Sequence, residues 1–446
     1  MIDTAAFQGK RVAYYTLGCK LNFSETSTFG QMLSQMGVVT AEKGQKADLV
    51  LINTCAVTEV ASQKCRQIIH RLVRQNPGAF VVVTGCYAQL EPEAVADIDG
   101  VNLILGSNEK ARLIQFLSES WAGIPTGCTT RVERHTKDIK SFAPSCSRGS
   151  RTRFFLKVQD GCDYFCTYCA IPFARGFSRN PSISSLVEQA RRAVAEGGKE
   201  IVLTGVNIGD FGKTTGETFL ALVKSLDTDV PGICRYRISS IEPDLLTDEL
   251  IDYCAQSQHF MPHFHIPLQS GSDEVLQLMH RHYDSRLFSD KVMRIKRLMP
   301  DAFIGVDVMV GCRGERPEMF EQTYQLLTDL PVSQLHVFPY SERPGTAALR
   351  IPYTVSEQDK RLRSQRLLSL SEHKLHSFYQ SQQGQQADVL FEKAARGRAM
   401  HGFTRNYVRA ELPATEAKPD LDNQLRRVRL GAFNHDGTAL MAEIVS

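Results

Sequence analysis

No apolar run in this 446-residue chain approaches the ~18 residues of a membrane span. Nor does its opening stretch, MIDTAAFQGKRVAYY, place a basic segment before an apolar one as an export signal would. Neither a membrane role nor export is therefore expected, and the cytoplasm is the expected compartment. Charge of one sign is lacking too: 52 Lys and Arg against 49 Asp and Glu leave a net +3, too little to announce a nucleic-acid partner. Internal repeats and low-complexity tracts are absent. With 42% apolar and 23% charged residues, wholesale disorder is not expected, and the length allows two to four domains.

Cysteine is what the chain does have, twelve in all. Without an export signal, clustered thiols more often bind metal or do chemistry than form disulfides. The stretch DGCDYFCTYCAIPFARG sets Cys162, Cys166 and Cys169 at C-x3-C-x2-C spacing. A structural zinc site wants four ligands, and most iron–sulfur clusters want four thiolates. Three thiolates on a four-iron, four-sulfur cube leave one iron open, and an open position is what separates a catalytic metal site from a structural one. A zinc site completed by a distant residue, or buried cysteines without function, are the plainer readings of the same spacing.

Apolar periodicity gives an α/β fold in three parts. Residues 1–121 alternate buried-type strands (RVAYYT, ADLVLINT, AFVVVTGC, VNLILG) with helices over Asn22–Met36, Thr58–Arg74 and Glu91–Ile98, a doubly wound pattern. A polar linker is expected over 122–152. Residues 153–380 resume the alternation with FFLKVQ, EIVLTGVN, CRYRISS, HFHIPL, AFIGVDVMVG and QLHVFPY, which predicts a partial parallel (β/α) barrel followed by a long amphipathic, basic helix. Residues 381–446 carry ADVLFEK, YVRAEL, LRRVRLGAF and ALMAEIV, which predict a small antiparallel β-barrel.

The thiol loop follows FFLKVQ, at the strand end where barrel chemistry sits. With Tyr168 before its last cysteine, it resembles the signature of the radical S-adenosylmethionine enzymes. That resemblance implies a partial (β/α) barrel and a cluster whose open iron is chelated by S-adenosylmethionine. It also implies one-electron cleavage of that cofactor to a 5′-deoxyadenosyl radical. EGGKEIVLTGVN is similar to the family's glycine–glutamate strand, which implies cofactor contacts at Gly197, Gly198 and Glu200. RISSIEPD and HIPLQSGSDEVLQLMHRHY resemble further motifs and place Ser239, Gln269 and Arg281 near the cofactor.

TLGCK, INTCAVT and TGCYAQ put Cys19, Cys55 and Cys86 at the C-terminal ends of predicted strands, which face a common crevice in an open α/β sheet. Three unrelated cysteines would read the same, and Cys65 is a competing candidate expected to pack instead. TLGCKLNFSET, INTCAVTEVASQKCRQ and VTGCYAQLEPE resemble the N-terminal domain of the methylthiotransferases. FPYSERPGTAA and the C-terminal module, similar to the RNA-binding TRAM domain, continue the match over nearly the whole chain. The resemblance implies that Cys19, Cys55 and Cys86 hold a second four-iron cluster that presents the sulfur. GCRGE (Gly311 to Glu315) departs from the family's Gly-Phe-Pro-Gly-Glu, which leaves the shape of that loop open.

The implied reaction adds a methylthio group to a C–H carbon that side-chain acid–base chemistry cannot activate. NTCAVTEVASQK and GFTRNYVRAEL resemble the branch acting on N6-threonylcarbamoyladenosine in tRNA, next to the anticodon. The other branches act on isopentenyladenosine in tRNA or on a ribosomal-protein aspartate. Arg396, Arg398, Arg405, Arg409, Arg426, Arg427 and Arg429 lie among Phe391, Phe403, Tyr407 and Phe433, a mix suited to RNA loops; a solvated barrel face with core aromatics fits it equally. Expected partners are the tRNA anticodon loop, an electron donor such as flavodoxin or ferredoxin, and a sulfur source. A non-catalytic iron–sulfur redox protein would explain clustered thiols but not a barrel.

Overall fold

Strands β1 (Arg11–Thr16), β2 (Val39–Thr40), β3 (Leu49–Thr54), β4 (Phe80–Gly85), β5 (Leu103–Leu105) and β6 (Thr129–Arg131) form one parallel sheet in the order β2-β1-β3-β4-β5-β6. This is a computed structural model, and it describes residues 7–42, 44–56, 59–121, 127–147, 152–395 and 397–445. β3 and β4 are buried at every position because both faces are covered. Val50, Ile52, Val81 and Val83 enter one core, while Leu49, Leu51, Phe80 and Val82 enter the other, as the two-residue side-chain period dictates. Helices Lys20–Gln35 and Glu59–Gln75 follow β1 and β3. The expected helix start at Thr58 lies outside the described residues. In place of the single helix expected over Glu91–Ile98 stand Cys86–Leu90 and Pro92–Ala96, divided at Glu91, just before a proline. The expected linker is also corrected, since its Thr129–Arg131 pairs with β5 as the sheet's sixth strand.

β7 (Arg153–Lys157), β8 (Glu200–Thr204) and β9 (Arg235–Ile238) make a second parallel sheet, and β10 (His263–Gln269), β11 (Phe303–Val310) and β12 (Gln334–Pro339) a third. Parallel bridges Tyr236–Phe260 and Ser240–His265 join them into a six-stranded open barrel. Its edges are β7 and β12. At β7, Ser147 donates its N–H to the Phe155 carbonyl oxygen (3.0 Å), and helix Lys20–Gln35 lies alongside, Ser24 Oγ donating to that same oxygen at 2.8 Å. At β12, Ser371 of the long helix Glu357–Gln380 accepts from Leu335 N at 2.9 Å.

β13 (Gln386–Phe391), β14 (Met400–Phe403), β15 (Arg409–Leu412), β16 (Leu425–Phe433) and β17 (Leu440–Ile444) close into a small barrel in the order β13-β14-β15-β17-β16. β14 has no counterpart among the expected strands; its short MHGF run includes a glycine, which weakens the strand signal. This module plugs the N-terminal end of the large barrel. Tyr407 OH accepts from Arg153 Nη1 at 2.9 Å, its ring lies 4.4 Å from that of His263, and Arg237 donates to the carbonyl oxygens of Thr404 (2.8 Å) and Arg405 (2.9 Å). Among the described residues, no helix is long and apolar enough to cross a membrane.

Candidate active site

The three-thiol loop leaves the C-terminal end of β7 and is closed at its base by Asp160 and Arg179, whose backbone N–H groups each donate to the other's carbonyl oxygen at 2.9 Å. Cys166 Sγ accepts from Arg281 Nη1 at 3.1 Å, and Cys169 Sγ accepts from Ile171 N at 3.4 Å. Burial pushes the Cys162 and Cys169 thiols up to about 12, and raises Cys166 against the opposing pull of Arg281. These groups are protonated until a cation displaces the proton, as expected of metal ligands. Tyr168 is half-buried beside them, with Arg281 Nη1 3.5 Å from its hydroxyl. Arg281 also pairs with Glu242, whose carboxyl burial nevertheless raises to about 7.

Beyond β8 and β9, the side-chain atoms Asn207 Nδ2, Asn207 Oδ1, Asp210 Oδ2 and Asp244 Oδ1 are buried without a hydrogen-bond partner. Such groups are costly unless a ligand pairs them. Three soft thiols on one loop, with unsatisfied polar atoms past the same ends of the neighbouring strands, fit an iron–sulfur cluster with a polar ligand on its open iron. Among the described residues no three His, Cys, Asp or Glu side chains stand close enough to hold a single metal ion between them.

Tyr168 and Arg281 thus adjoin the thiols. Ser239 lies just past β9, and Gln269, at φ +64°, ends β10; both line cavities described below. Gly197, Gly198 and Glu200 do not reach the thiols. Glu200 opens β8 at the barrel's opposite end, where its Oε1 accepts from Arg237 Nε at 2.9 Å, and Gly197 O accepts from Asn423 Nδ2 of the C-terminal module at 2.8 Å. A five-residue strand spans roughly 13 Å, so residues at its start cannot serve its end. The stretch overlooked in the sequence is TGVN, Thr204–Asn207, which exits β8 on the thiol side; strand polarity alone would have found it.

Cys19, Cys55 and Cys86 follow β1, β3 and β4, three neighbouring strands. Two left-handed glycines permit their approach. At Gly18 (φ +94°) a Cβ would stand 2.6 Å from Cys55 Sγ, and at Gly85 (φ +100°) one would stand 2.3 Å from the Thr54 carbonyl oxygen. Cys86 is raised by burial, and by proximity to Cys19, against the pull of Arg175. Cys65 stands behind, its thiol donating to the Cys55 carbonyl oxygen at 3.2 Å.

A buried ionic network joins this site to the barrel. Glu25 Oε1 accepts from Lys110 Nζ (2.7 Å), Lys157 Nζ (3.1 Å) and Arg175 Nη1 (3.1 Å), while Asp160 takes Lys157, Arg175 and Arg179. Four cations face two carboxylates, and the surplus positive charge favours anionic sulfur at Cys86. Arg343, in the loop after β12, donates to the Ala56 carbonyl oxygen and to Ser62 Oγ (3.1 Å), binding that loop to the other side of Cys55.

A cavity of about 240 Å³ is lined by Cys169 of the thiol loop and by Ala56, the residue after Cys55, together with Tyr168, Gln269 and Tyr340. A second, of about 340 Å³, occupies the barrel interior and is lined by Lys20, Ser239, His265 and His336. Asp307 and Phe338 line both.

In the C-terminal module the aromatic residues are committed to packing. Phe391 is core, Tyr407 plugs the barrel, Phe403 stacks on Tyr407 (4.7 Å between centroids) and Phe433 on His376 (4.4 Å). The expectation of aromatic platforms for bases is therefore corrected: the barrel needs those rings for its own core and docking. Arg398, Arg405, Arg426, Arg427 and Arg429 are exposed and Arg409 is half-buried; Arg396 lies outside the described residues. The GCRGE loop is closed by its own residues. Arg313 Nη1 donates to the Leu349 and Ile351 carbonyl oxygens (3.1 and 3.0 Å), Glu315 accepts from Gly311 N (2.6 Å), and Cys312 is buried in a small core with Met279 and Tyr340.

Residues 11–106 match the model of the uncharacterized protein family UPF0004, and residues 156–327 that of the radical SAM superfamily. The chain is 36% identical over 430 residues to a Bacillus subtilis protein named threonylcarbamoyladenosine tRNA methylthiotransferase MtaB, covering 94% of this chain and 93% of that one. A Thermotoga maritima protein of the same name is 32% identical, with 96% of each chain covered. A Syntrophus aciditrophicus tRNA-2-methylthio-N(6)-dimethylallyladenosine synthase is 31% identical over 89% of this chain and 85% of its own. In fold it is similar to the Kitasatospora setae radical S-adenosylmethionine methyltransferase TsrM (TM-score 0.55, 16% identity, 76% of this chain and 77% of that one). Radical SAM enzymes use S-adenosylmethionine and a four-iron, four-sulfur cluster, and the thiol loop supplies fitting ligands for one. With both domain models matched in order and such relatives spanning nearly its whole length, the chain belongs to the radical S-adenosylmethionine tRNA methylthiotransferase family.

Proposed function

We propose that this enzyme converts N6-threonylcarbamoyladenosine beside the tRNA anticodon to its 2-methylthio derivative, using two four-iron clusters. Cys162, Cys166 and Cys169 would hold the cluster that takes S-adenosylmethionine, and Cys19, Cys55 and Cys86 the cluster that carries the sulfur. The observation behind this reading is the cavity that borders both Cys169 and Ala56, the neighbour of Cys55, since reacting atoms must approach within ~3–3.5 Å. When bound, clusters and cofactor supply radical chemistry that side chains cannot.

The chain's own residues bind and orient. Arg281, held by Glu242, fixes Cys166. Asn207 and Asp244 offer unpaired polar atoms to the cofactor's amino and carboxylate groups, with Tyr168, Ser239 and Gln269 around it. Arg398, Arg405, Arg426, Arg427 and Arg429 offer exposed charge to tRNA phosphates. An electron donor of the flavodoxin or ferredoxin kind and a sulfur source complete the reaction. Relatives named for threonylcarbamoyladenosine and for dimethylallyladenosine both match; the side chains of Lys20, His265, Asp307 and His336 in the barrel interior favour the former substrate.

Replacing Cys19, Cys55 and Cys86 together by Ala tests this. Nucleoside mass spectrometry should show threonylcarbamoyladenosine accumulating unmodified, while the purified, reduced variant still cleaves S-adenosylmethionine. Were the triple variant still to yield the methylthio product, the sulfur would come from elsewhere and the two-cluster reading would fall.

A further inference from the structure

We propose that Lys20, with His336 facing it across the barrel interior, forms the subsite that reads the carboxylate of the substrate's threonylcarbamoyl group. This rests on the function proposed above and adds to it a recognition element.

Lys20 opens the helix that lies along β7, the barrel's free edge, and its side chain lines the 340 Å³ cavity. The other cations there are already engaged. Arg153 pairs with Glu392 at 3.0 Å and with Tyr407, and Arg237 with Glu200 at 2.9 Å. The cavity's carboxylate, Asp307, is tied to His265 Nε2 at 2.9 Å. Lys20 makes no ion pair or hydrogen bond among the described residues. Its charge is therefore unspent and faces a space large enough for a ligand.

Opposite stands His336 on β12, its ring 5.1 Å from that of His265. Burial, and then the nearby His265, lower its basicity, so it is a neutral imidazole able to exchange a hydrogen bond with a hydroxyl or urea group. Between the two imidazoles the β11 backbone carries Gly305, where a Cβ would come within 3.4 Å of His265 and 3.5 Å of His336. The glycine keeps that floor clear.

The chemistry discriminates between the two adenosine substituents. Threonylcarbamoyl ends in a carboxylate and a hydroxyl, whereas dimethylallyl is hydrocarbon. A carboxylate leaving water needs a cation and hydrogen bonds, which Lys20 and His336 offer. A hydrocarbon tail would leave the half-buried imidazole of His336 without a partner and give the exposed Lys20 nothing to pair with, so the site favours the charged substituent.

The test uses the full-length, cluster-loaded protein and an anticodon stem-loop RNA carrying threonylcarbamoyladenosine, compared with the same RNA whose threonine carboxylate is a methylamide. Wild type should bind the acid about tenfold more tightly than the amide, the increment of one charge-assisted contact. Lys20→Met should lose that preference and Lys20→Arg should retain it. His336→Leu should weaken binding of the acid RNA with iron content unchanged. Equal binding of acid and amide by wild type, an undiminished preference in Lys20→Met, or undiminished binding of the acid RNA by His336→Leu overturns the subsite. Failure of the function itself looks different: wild type would leave the acid RNA unmodified while converting an isopentenyladenosine RNA.

Discussion

Three cations meet a single carboxylate oxygen at Glu25, buried between the N-terminal sheet and the barrel. Burial alone would raise its carboxyl, but Arg175, Lys110 and Lys157 outweigh it and hold the group well below its ordinary 4.5. Glu25→Gln would leave those cations facing Asp160 alone. Breaking a buried ionic network from one side costs ~3–5 kcal/mol, so urea denaturation of the apo-protein should show a loss of that size. The pH dependence has a definite sign. With the folded value depressed, the stability Glu25 contributes is complete above about pH 4.5 and is lost as pH falls toward the folded value. The variant should lack that part of the acid slope. None of these residues carried a signal in the sequence, because Glu25 is 85 positions from Lys110 and 150 from Arg175.

Turns, more than strands, set the cysteine geometry at the scale of elements. Cys86 begins the helix Cys86–Leu90 directly after Gly85, whose φ of +100° turns the chain off β4. Gly85→Ala adds a Cβ 2.3 Å from the Thr54 carbonyl oxygen, a clash that the backbone must relieve by moving. The expected outcome is a shifted Cys86 and loss of the iron held by Cys19, Cys55 and Cys86, ~4 per chain for one cube. Iron on the thiol loop should remain. Quantifying iron and sulfide in the purified variant checks this, and a full complement of iron would remove Cys86 from the ligand set. Strand polarity corrects the other element-scale expectation, since GGKE enters β8 at the floor of the barrel whereas TGVN leaves it at the site.

At the scale of the whole molecule, the C-terminal module is both lid and candidate RNA surface. Tyr407 and the carbonyl oxygens of Phe403, Thr404 and Arg405 are bound by Arg153, Arg235 and Arg237 at the barrel's floor. Truncating the chain at Gly384 would uncover His263 and Phe303, so charge reversal tests RNA binding more cleanly. Arg427 and Arg429 both point outward on β16, where Val428 and Leu430 point in. Arg427→Glu with Arg429→Glu should weaken tRNA binding and flatten its salt dependence. The log–log slope should fall by up to ~0.9 for each phosphate that is no longer neutralised. Thermal stability should change little. An unchanged salt slope would assign the module a purely structural part.

The alternation of apolar runs sufficed to determine the doubly wound sheet, the open barrel and the C-terminal β-module, because side-chain period and burial are local consequences of local residues. Strand ends likewise brought Cys19, Cys55 and Cys86 to one edge, and spacing grouped Cys162, Cys166 and Cys169 on one loop. Only the tertiary structure decided how the N-terminal sheet is joined to the barrel, through Arg175 and Arg343, whose partners are scattered along the chain. It also assigned Glu200 to the barrel's floor, and the module's aromatics to its core and its docking face. Those outcomes depend on which end of a strand meets which neighbour. Ion pairing and ring packing act across space, and nothing in the spacing of residues along a chain encodes the distance between its folded parts.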